Sequence, residues 1–66
     1  MNPTDQAILD ELNDGRVTPT LVADRHGYSR GNVANRLTRL VEHGHVRRVG
    51  GDGTGLYELV NDPRNE

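Results

Sequence analysis

The stretch VADRHGYSRGNVANRL, residues 22–37, decides the fold of this 66-residue chain. Within it, Gly27 separates one helical pattern from the next, and Ser29 immediately precedes the second pattern. Glycine adopts the positive φ of a tight turn without steric cost, and serine is a preferred N-cap residue. Two helices joined by three or four residues that include a glycine are typical of a helix-turn-helix. The stretch therefore predicts that motif.

The helix after Ser29 is predicted to be amphipathic over about residues 30–43. Its apolar side chains recur with helical spacing, which predicts one buried face, formed by Val33, Leu37, Leu40 and Val41. At roughly 100° per residue, Gly31, Asn35 and Arg39 fall on the opposite side. This third helix therefore combines a core stripe with a polar and partly basic outward face.

Two more helices are predicted on the N-terminal side of the motif. Asn2 is a cap candidate, Pro3 suits the first helical position, and Gly15 ends this first helix. Thr18 and Pro19 repeat the same kind of start signal, so a second, short helix is predicted to run to about position 26.

The remaining part of the chain is predicted to form a β-hairpin. Two β-prone runs, 46–49 and 56–60, flank the glycine-rich connector GGDGTG at 50–55. The extended pair at 16–17 is a candidate for a minor additional strand, and the polar segment 61–66 is predicted to be a flexible tail. Three helices followed by a two-stranded hairpin predict one small α+β domain over residues 1–60.

The charges are distributed unevenly along the chain, whose formal net charge is −2. Residues 1–15 carry −4 and residues 50–66 carry −3, whereas residues 16–49 hold seven arginines and two acidic residues and carry +5. A basic block between two acidic ends indicates a surface for an acidic partner such as nucleic acid. All basic residues other than histidine are arginine, and this composition, with ten acidic residues, favours a GC-rich genome and leads to the hypothesis of a salt-loving host.

Several other classes of protein are disfavoured by the sequence. It has no cysteine, no apolar run long enough to span a membrane and no signal-peptide pattern, so we expect a soluble cytoplasmic domain. The connector at 50–55 lacks the lysine of a nucleotide-binding loop, and no Ser/His/Asp arrangement is supported. Glu42, His43 and His45 are a weak metal candidate because the first two diverge on a helix and no second ligand cluster exists. We therefore predict no enzyme activity, no metal and no cofactor, and no small-molecule ligand is evident.

The order of elements resembles the winged helix-turn-helix fold of DNA-binding regulators over about residues 3–60. Ala23, Gly27 and Val33 match the small residue, the turn glycine and the buried branched residue of the helix-turn-helix pattern. The segment TPTLVADRHGYSRGNVANRLTRLVEHGHVRRV, residues 18–49, is also similar to the haloarchaeal phage phi-H repressor-like family of winged-helix proteins. These resemblances imply an archaeal transcriptional regulator that binds double-stranded DNA, and the second implies a repressor.

A recognition helix in the major groove reads base edges with its N-terminal half, where arginine suits guanine and asparagine suits adenine. The residues predicted to read bases are Ser29, Arg30, Gly31, Asn32 and Asn35. Those predicted to contact the DNA backbone are Thr18, Thr20, Arg36, Arg39, Arg47 and Arg48. The wing tip at 50–55 is predicted to meet the backbone or the minor groove, with an adaptable tip made by Gly51, Gly53 and Thr54.

One alternative function remains open at this point. Winged helices also serve as protein-interaction or assembly modules that do not bind DNA, in which case the outward face of the third helix should carry apolar or mixed-charge residues. A second copy of the chain is a further candidate partner, since a homodimer on two half-sites about one helical turn apart gains affinity and specificity.

Overall fold

The computed structural model describes residues 2–49 and 55–65 and contains the predicted three helices and hairpin. The elements are α1 (Pro3–Asp14), α2 (Pro19–His26), α3 (Arg30–Glu42), β1 (Val46–Val49), β2 (Leu56–Leu59) and a 3₁₀ helix (Pro63–Asn65). This order confirms the α+β winged helix-turn-helix class. Within the described ranges, no helix is both long and apolar enough to cross a membrane.

The helices begin and end where local capping chemistry predicts. The side chains of Asn2, Thr18 and Ser29 each accept a backbone N–H from the first turn of their helix. Gly27 follows α2 with φ of 73°, and its N–H donates to the carbonyl of Ala23. A left-handed residue at this point reverses the chain, so that only three residues separate the end of α2 from the start of α3.

The hairpin is antiparallel and is attached to the helices by a third extended segment. Val46 lies opposite Leu59, and the register continues to the pair at the other end of the strands. The N–H of Val17 donates to the carbonyl of Tyr57 over 3.0 Å, and the return bond measures 2.8 Å. The minor strand predicted at 16–17 is thus present as a single β-bridge.

A single apolar core holds α3 in place. Its central side chains are almost fully removed from solvent and come from all three helices, the α1–α2 linker and β1; they are Ile8, Leu12, Val17, Val22, Val33, Leu37, Leu40 and Val46. Val41 was predicted to belong to this core but is 36 % exposed, which corrects that prediction. At 100° per residue it lies on the edge of the stripe, on the side of α3 that faces the hairpin.

The segment after β2 is attached to α1, which differs from the flexible tail predicted for 61–66. Asp62 is buried, and its carboxylate accepts hydrogen bonds from the Asn13 side-chain amide at 2.9 Å and from the backbone and guanidinium of Arg64. Arg64 also pairs with Asp10 on α1 at 2.8 Å. A polar segment is normally expected to be exposed, so its composition did not predict these contacts. Asp62 can be buried because several donors satisfy its carboxylate.

We expect Asp62 to make folding stability sensitive to acid. Its hydrogen bonds to Arg64 and Asn13 hold the pKa of the Asp62 carboxyl well below its ordinary value of 3.8. The stabilisation is therefore complete above that value and declines as pH falls below it, because the unfolded chain then binds a proton first. Thermal unfolding followed from about pH 6 to about pH 2.5 should show an Asp62→Asn variant that is less stable, by a margin that shrinks with acid.

Asp14→Asn is the matched control, because Asp14 is exposed and accepts no side-chain hydrogen bond within the described ranges. It should follow the wild-type profile. A constant difference between wild type and Asp62→Asn across the whole pH range would contradict the expectation.

Candidate nucleic-acid interface

The face of α3 that points away from the core is entirely polar. It consists of exposed residues that the helical rotation places opposite the buried stripe: Gly31, Asn35, Thr38, Arg39 and Glu42. We call this set the outward face. A Cβ added at Gly31 would meet no atom within 4 Å, so the backbone of the first turn is open to approach from outside. The outward face therefore offers amide, hydroxyl and guanidinium groups to a partner.

The outward face forms one wall of a polar concavity of about 690 Å³. The side chains around it come from α3 and from the start of α1; they are Asn2, Asn32, Asn35, Arg36, Thr38, Arg39 and Glu42. Most of these groups donate hydrogen bonds or carry positive charge. Such a surface suits the edges of bases and the oxygens of phosphates better than an apolar ligand.

The first turn of α1 contacts one flank of α3 through two polar pairs. The Asn32 side-chain amide donates to the Thr4 hydroxyl over 3.1 Å. One turn further along, Arg36 donates through Nε and Nη2 to the two carboxylate oxygens of Asp5, each over 2.7 Å. These hydrogen bonds, and the negative charge of Asp5, raise the pKa of the Arg36 guanidinium. Asn32 and Arg36 thus have intramolecular partners.

The hairpin lies along the other flank of α3. Alternation in β1 places Arg48 on the same face as the buried Val46, and Arg48 lies opposite Tyr57 in the register. A smaller depression of about 170 Å³ separates this part of the hairpin from α3, and it is lined by Thr38, Val41, Glu42, Arg48 and Tyr57. Arg48 therefore borders the outward face from the side of the wing.

Arg47 points to the opposite face of the hairpin. It pairs there with Glu58, its cross-strand neighbour, which also accepts a hydrogen bond from Arg16 over 3.0 Å. The hydrogen bonds from Arg47 and Arg16 hold the pKa of the Glu58 carboxyl below its ordinary value. Of the two wing arginines predicted to contact DNA, Arg47 has an intramolecular partner, and Arg48 has none among residues 2–49 and 55–65.

Carboxylates neutralise most of the arginines outside the outward face. Five of the eight arginines form close ion pairs; they are Arg16, Arg25, Arg36, Arg47 and Arg64. Arg39 lies 3.9 Å from Glu42, which is a weak, exposed contact. Arg30 and Arg48 pair with no carboxylate in the described part of the chain. We call Arg30, Arg39 and Arg48 the open arginines. Arg39 lies on the outward face, Arg48 borders it and Arg30 is the first residue of α3, so they concentrate positive potential around this helix.

The start of α2 is less available than the sequence predicts. Thr18 uses its hydroxyl oxygen to accept the Leu21 N–H over 3.2 Å, and its carbonyl accepts the Val22 N–H. Pro19 has no N–H. The remaining first-turn amide belongs to Thr20, whose side chain is exposed. Thr20 is consequently the better placed of the two threonines for a phosphate.

The other predicted site residues lie at the N-terminal end of α3 or in the wing tip. Ser29 caps the helix, and Arg30 is its exposed first residue. The predicted wing-tip residues Gly51, Gly53 and Thr54 lie outside the described residues. Across the described ranges, no group of three or more potential metal ligands comes together.

Sequence reasoning did not assign five residues that border the site: Asn2, Thr4, Asp5, Thr38 and Glu42. Thr38 belongs to the outward face, and its position three residues after Asn35 was a usable helical signal. Thr4 and Asp5 bind the flank of α3 across 28 and 31 sequence positions, respectively. No local pattern predicts such pairing, since Asp5 in the first turn of a helix has the local signature of a charge that favours the helix N-terminus.

Comparison with known proteins identifies the protein family to which the domain is similar. The sequence profile of the MarR family matches residues 1–55, which is most of the chain. No solved structure matches it. The family match agrees with the observed three helices and hairpin, and it indicates regulation of transcription through DNA binding.

Proposed function

The chain belongs to the MarR family, and from that premise we propose that it is a sequence-specific repressor that reads double-stranded DNA with α3. The family is one of DNA-binding regulators, not of enzymes. The repressor role is supported by the resemblance of residues 18–49 to the haloarchaeal phage phi-H repressor-like family.

The pattern of ion pairing carries this proposal. A chain with net charge −2 has little overall attraction for DNA. Its carboxylates, however, pair with arginines on the α1–α2 linker, α2, the hairpin and the C-terminal segment, while the three open arginines lie on or beside the outward face of α3. A local positive surface of this kind attracts phosphate even when the total charge is negative.

Base contacts are proposed for the N-terminal half of α3. Arg30 suits the O6 and N7 acceptors of guanine, and Asn35 suits the N6 and N7 atoms of adenine. Asn32 retains one amide hydrogen and its carbonyl oxygen for a base, since its other hydrogen donates to Thr4. Ser29 and Gly31 complete this predicted group, the first by fixing the helix start and the second by allowing close approach.

Backbone contacts are proposed for Arg39, Arg48 and Thr20, which flank the proposed base-reading group. Arg47 would have to leave Glu58 to reach a phosphate, so its contact stays a prediction, as does the approach of the wing tip at 50–55 to the backbone or minor groove. Phosphate contacts of this kind set position and orientation without specifying sequence.

The alternative, an assembly module without DNA binding, has less support. The outward face of α3 carries one charge of each sign, Arg39 and Glu42, but no large apolar side chain within the described ranges. The core of a protein–protein interface is instead depleted of charge and enriched in apolar and aromatic groups. A homodimer on a palindromic site is compatible with this proposal and would be reported by the site itself.

The decisive experiment combines selection and titration. DNA fragments selected from a random pool should converge on one short motif, and palindromy in that motif would indicate a dimer. Titration of the selected duplex over about 50 to 200 mM salt should show affinity falling linearly on logarithmic axes. No binding to any duplex at the lowest salt concentration would reject the proposal and favour the assembly module.

Arg30 and Arg39 are expected to differ in the kind of binding they support. Arg30→Ala should relax the preference at one base position by about 1–3 kcal/mol, because a bidentate contact to a base is lost. Arg39→Ala should weaken binding to all sequences about equally, because a phosphate contact carries no sequence information. Repeating the selection with both variants tests the division, and identical motifs with identical losses of affinity would contradict it.

A further inference from the structure

We infer that Asp5 is a positioning residue that withholds Arg36 from DNA phosphates and so keeps the binding of α3 dependent on base contacts. The inference rests on the proposed function and replaces the phosphate contact predicted for Arg36 from the sequence. It assigns a role in DNA discrimination to α1, an element outside the helix-turn-helix.

The pair of Asp5 and Arg36 is bidentate and short. Both carboxylate oxygens of Asp5 accept from Arg36, through Nε and Nη2, at 2.7 Å each. The Asp5 side chain is only 9 % exposed, whereas that of Arg36 is 34 % exposed. A bidentate pair of this type fixes the plane of the guanidinium as well as its position. The Arg36 side chain is therefore held against α1, although it lines the polar concavity.

Release of Arg36 from Asp5 would change the proposed DNA interface, because of where the pair lies. Arg36 lies one residue from Asn35 on α3 and one helical turn after Asn32, which contacts the neighbouring Thr4. A guanidinium released at this position would enter the proposed interface as an additional mobile cation. Phosphate contacts supply most of the sequence-independent affinity of DNA-binding proteins. Release should therefore strengthen binding to all DNA and reduce the margin between the selected site and random DNA.

The ion pair with Asp5 also neutralises the positive charge of Arg36. The negative charge of Asp5 lies on the inner side of the guanidinium, so the pair attracts phosphate less than an unpaired arginine does. The three open arginines lack such a close partner in the described part of the chain. The contrast between Arg36 and the open arginines is the observation from which the inference starts.

Asp5→Asn tests the inference with the smallest change of shape. The amide retains the size of the carboxylate but removes the charge that holds Arg36. We expect the slope of log affinity against log salt on random DNA to steepen by about 0.9, the value for one added phosphate contact. That change corresponds to about 3.5-fold more affinity lost between about 50 and 200 mM salt. The ratio of specific to random affinity should fall.

Asp10→Asn is the matched control on the same helix. It changes the net charge by the same amount, and Asp10 pairs with Arg64 rather than with any residue of α3. Its salt slope should equal that of the wild type. The double variant Asp5→Asn, Arg36→Gln should lose the added slope, and Asp5→Glu, which keeps the charge, should largely restore the specific-to-random ratio.

Nuclear magnetic resonance of the wild-type protein tests the inference without a variant, in case Asp5→Asn does not fold. The Arg36 Nε–H should keep its chemical shift and slow solvent exchange when random DNA is added, while the Arg39 Nε–H shifts. A shift of the Arg36 signal on random DNA, or equal salt slopes for Asp5→Asn and Asp10→Asn, would overturn the inference. Failure of the wild type to bind any DNA would instead remove the proposed function.

Discussion

Replacing Arg39 and Arg48 together with glutamine is expected to weaken binding to DNA of any sequence about 60-fold at about 0.1 M salt. Each lost phosphate contact lowers the salt slope by about 0.9, which corresponds to about 8-fold in affinity at this concentration relative to 1 M. Arg39 lies on α3 and lines the polar concavity, whereas Arg48 lies on β1 and lines the depression between α3 and the hairpin. Titrations over a salt series should therefore show a slope reduced by about 1.8.

Arg16 and Arg25 provide a control pair of equal charge. They are 60 % and 61 % exposed, but each pairs with a carboxylate, Glu58 and Glu11 respectively, away from the outward face. Their joint replacement by glutamine changes the net charge by the same amount and should alter affinity by less than about 3-fold, through long-range attraction alone. Equal losses for the two double variants would show that total charge, and not its location, governs binding.

The local parts of the fold could be predicted from the sequence because their signals are local. Asn2, Thr18 and Ser29 cap the three helices in the structure, as their positions before helical patterns indicate. Gly27 adopts the positive φ that the turn requires. Capping and turn chemistry act over three or four residues, and one sequence is sufficient to reveal them.

The long-range pairing of charges could not be predicted in the same way. The sequence shows a basic block at 16–49 but not which arginines in it have carboxylate partners. Arg36 meets Asp5 across 31 positions, and Arg16 meets Glu58 across 42. These pairs depend on the packing of α1 against α3 and of the linker against β2. The block therefore overstates the number of available arginines, and the binding region that it indicates stays a prediction.

Intramolecular pairing of the acidic residues makes a net negative charge compatible with the proposed binding of DNA. Three of the four carboxylates of α1 take part in intramolecular pairs: Asp5 with α3, Asp10 with the C-terminal segment, and Glu11 with both Arg25 and His26 on α2. Most of the negative charges of α1 thus form ion pairs or hydrogen bonds with other elements of the fold. The open arginines, by contrast, have no close carboxylate partner within the described ranges.

Leu37→Ala is expected to have the largest effect on folding, because Leu37 anchors the middle of α3 in the core and is fully buried. Removing such a side chain costs about 2–5 kcal/mol. A domain of this size has a free energy of unfolding of only about 3–10 kcal/mol. A large fraction of the Leu37→Ala molecules should therefore be unfolded near room temperature. Denaturant unfolding followed by circular dichroism measures the loss. Val60→Ala, at a site that is 56 % exposed, is the control and should cost less than about 0.5 kcal/mol.

The Leu37→Ala variant also separates the role of the core from that of the interface. The side chain at position 37 faces away from the proposed DNA surface. The folded molecules of this variant should therefore bind the selected site with unchanged base preferences. DNA at about one hundred times its dissociation constant should then return about 2.7 kcal/mol of stability by mass action. Arg39→Ala should behave in the opposite way, with unchanged unfolding in the absence of DNA and a smaller increase in stability when DNA is added. If DNA did not stabilise the Leu37→Ala variant, the outward face of α3 would not be the binding surface, or would not survive a change in the packing beneath it.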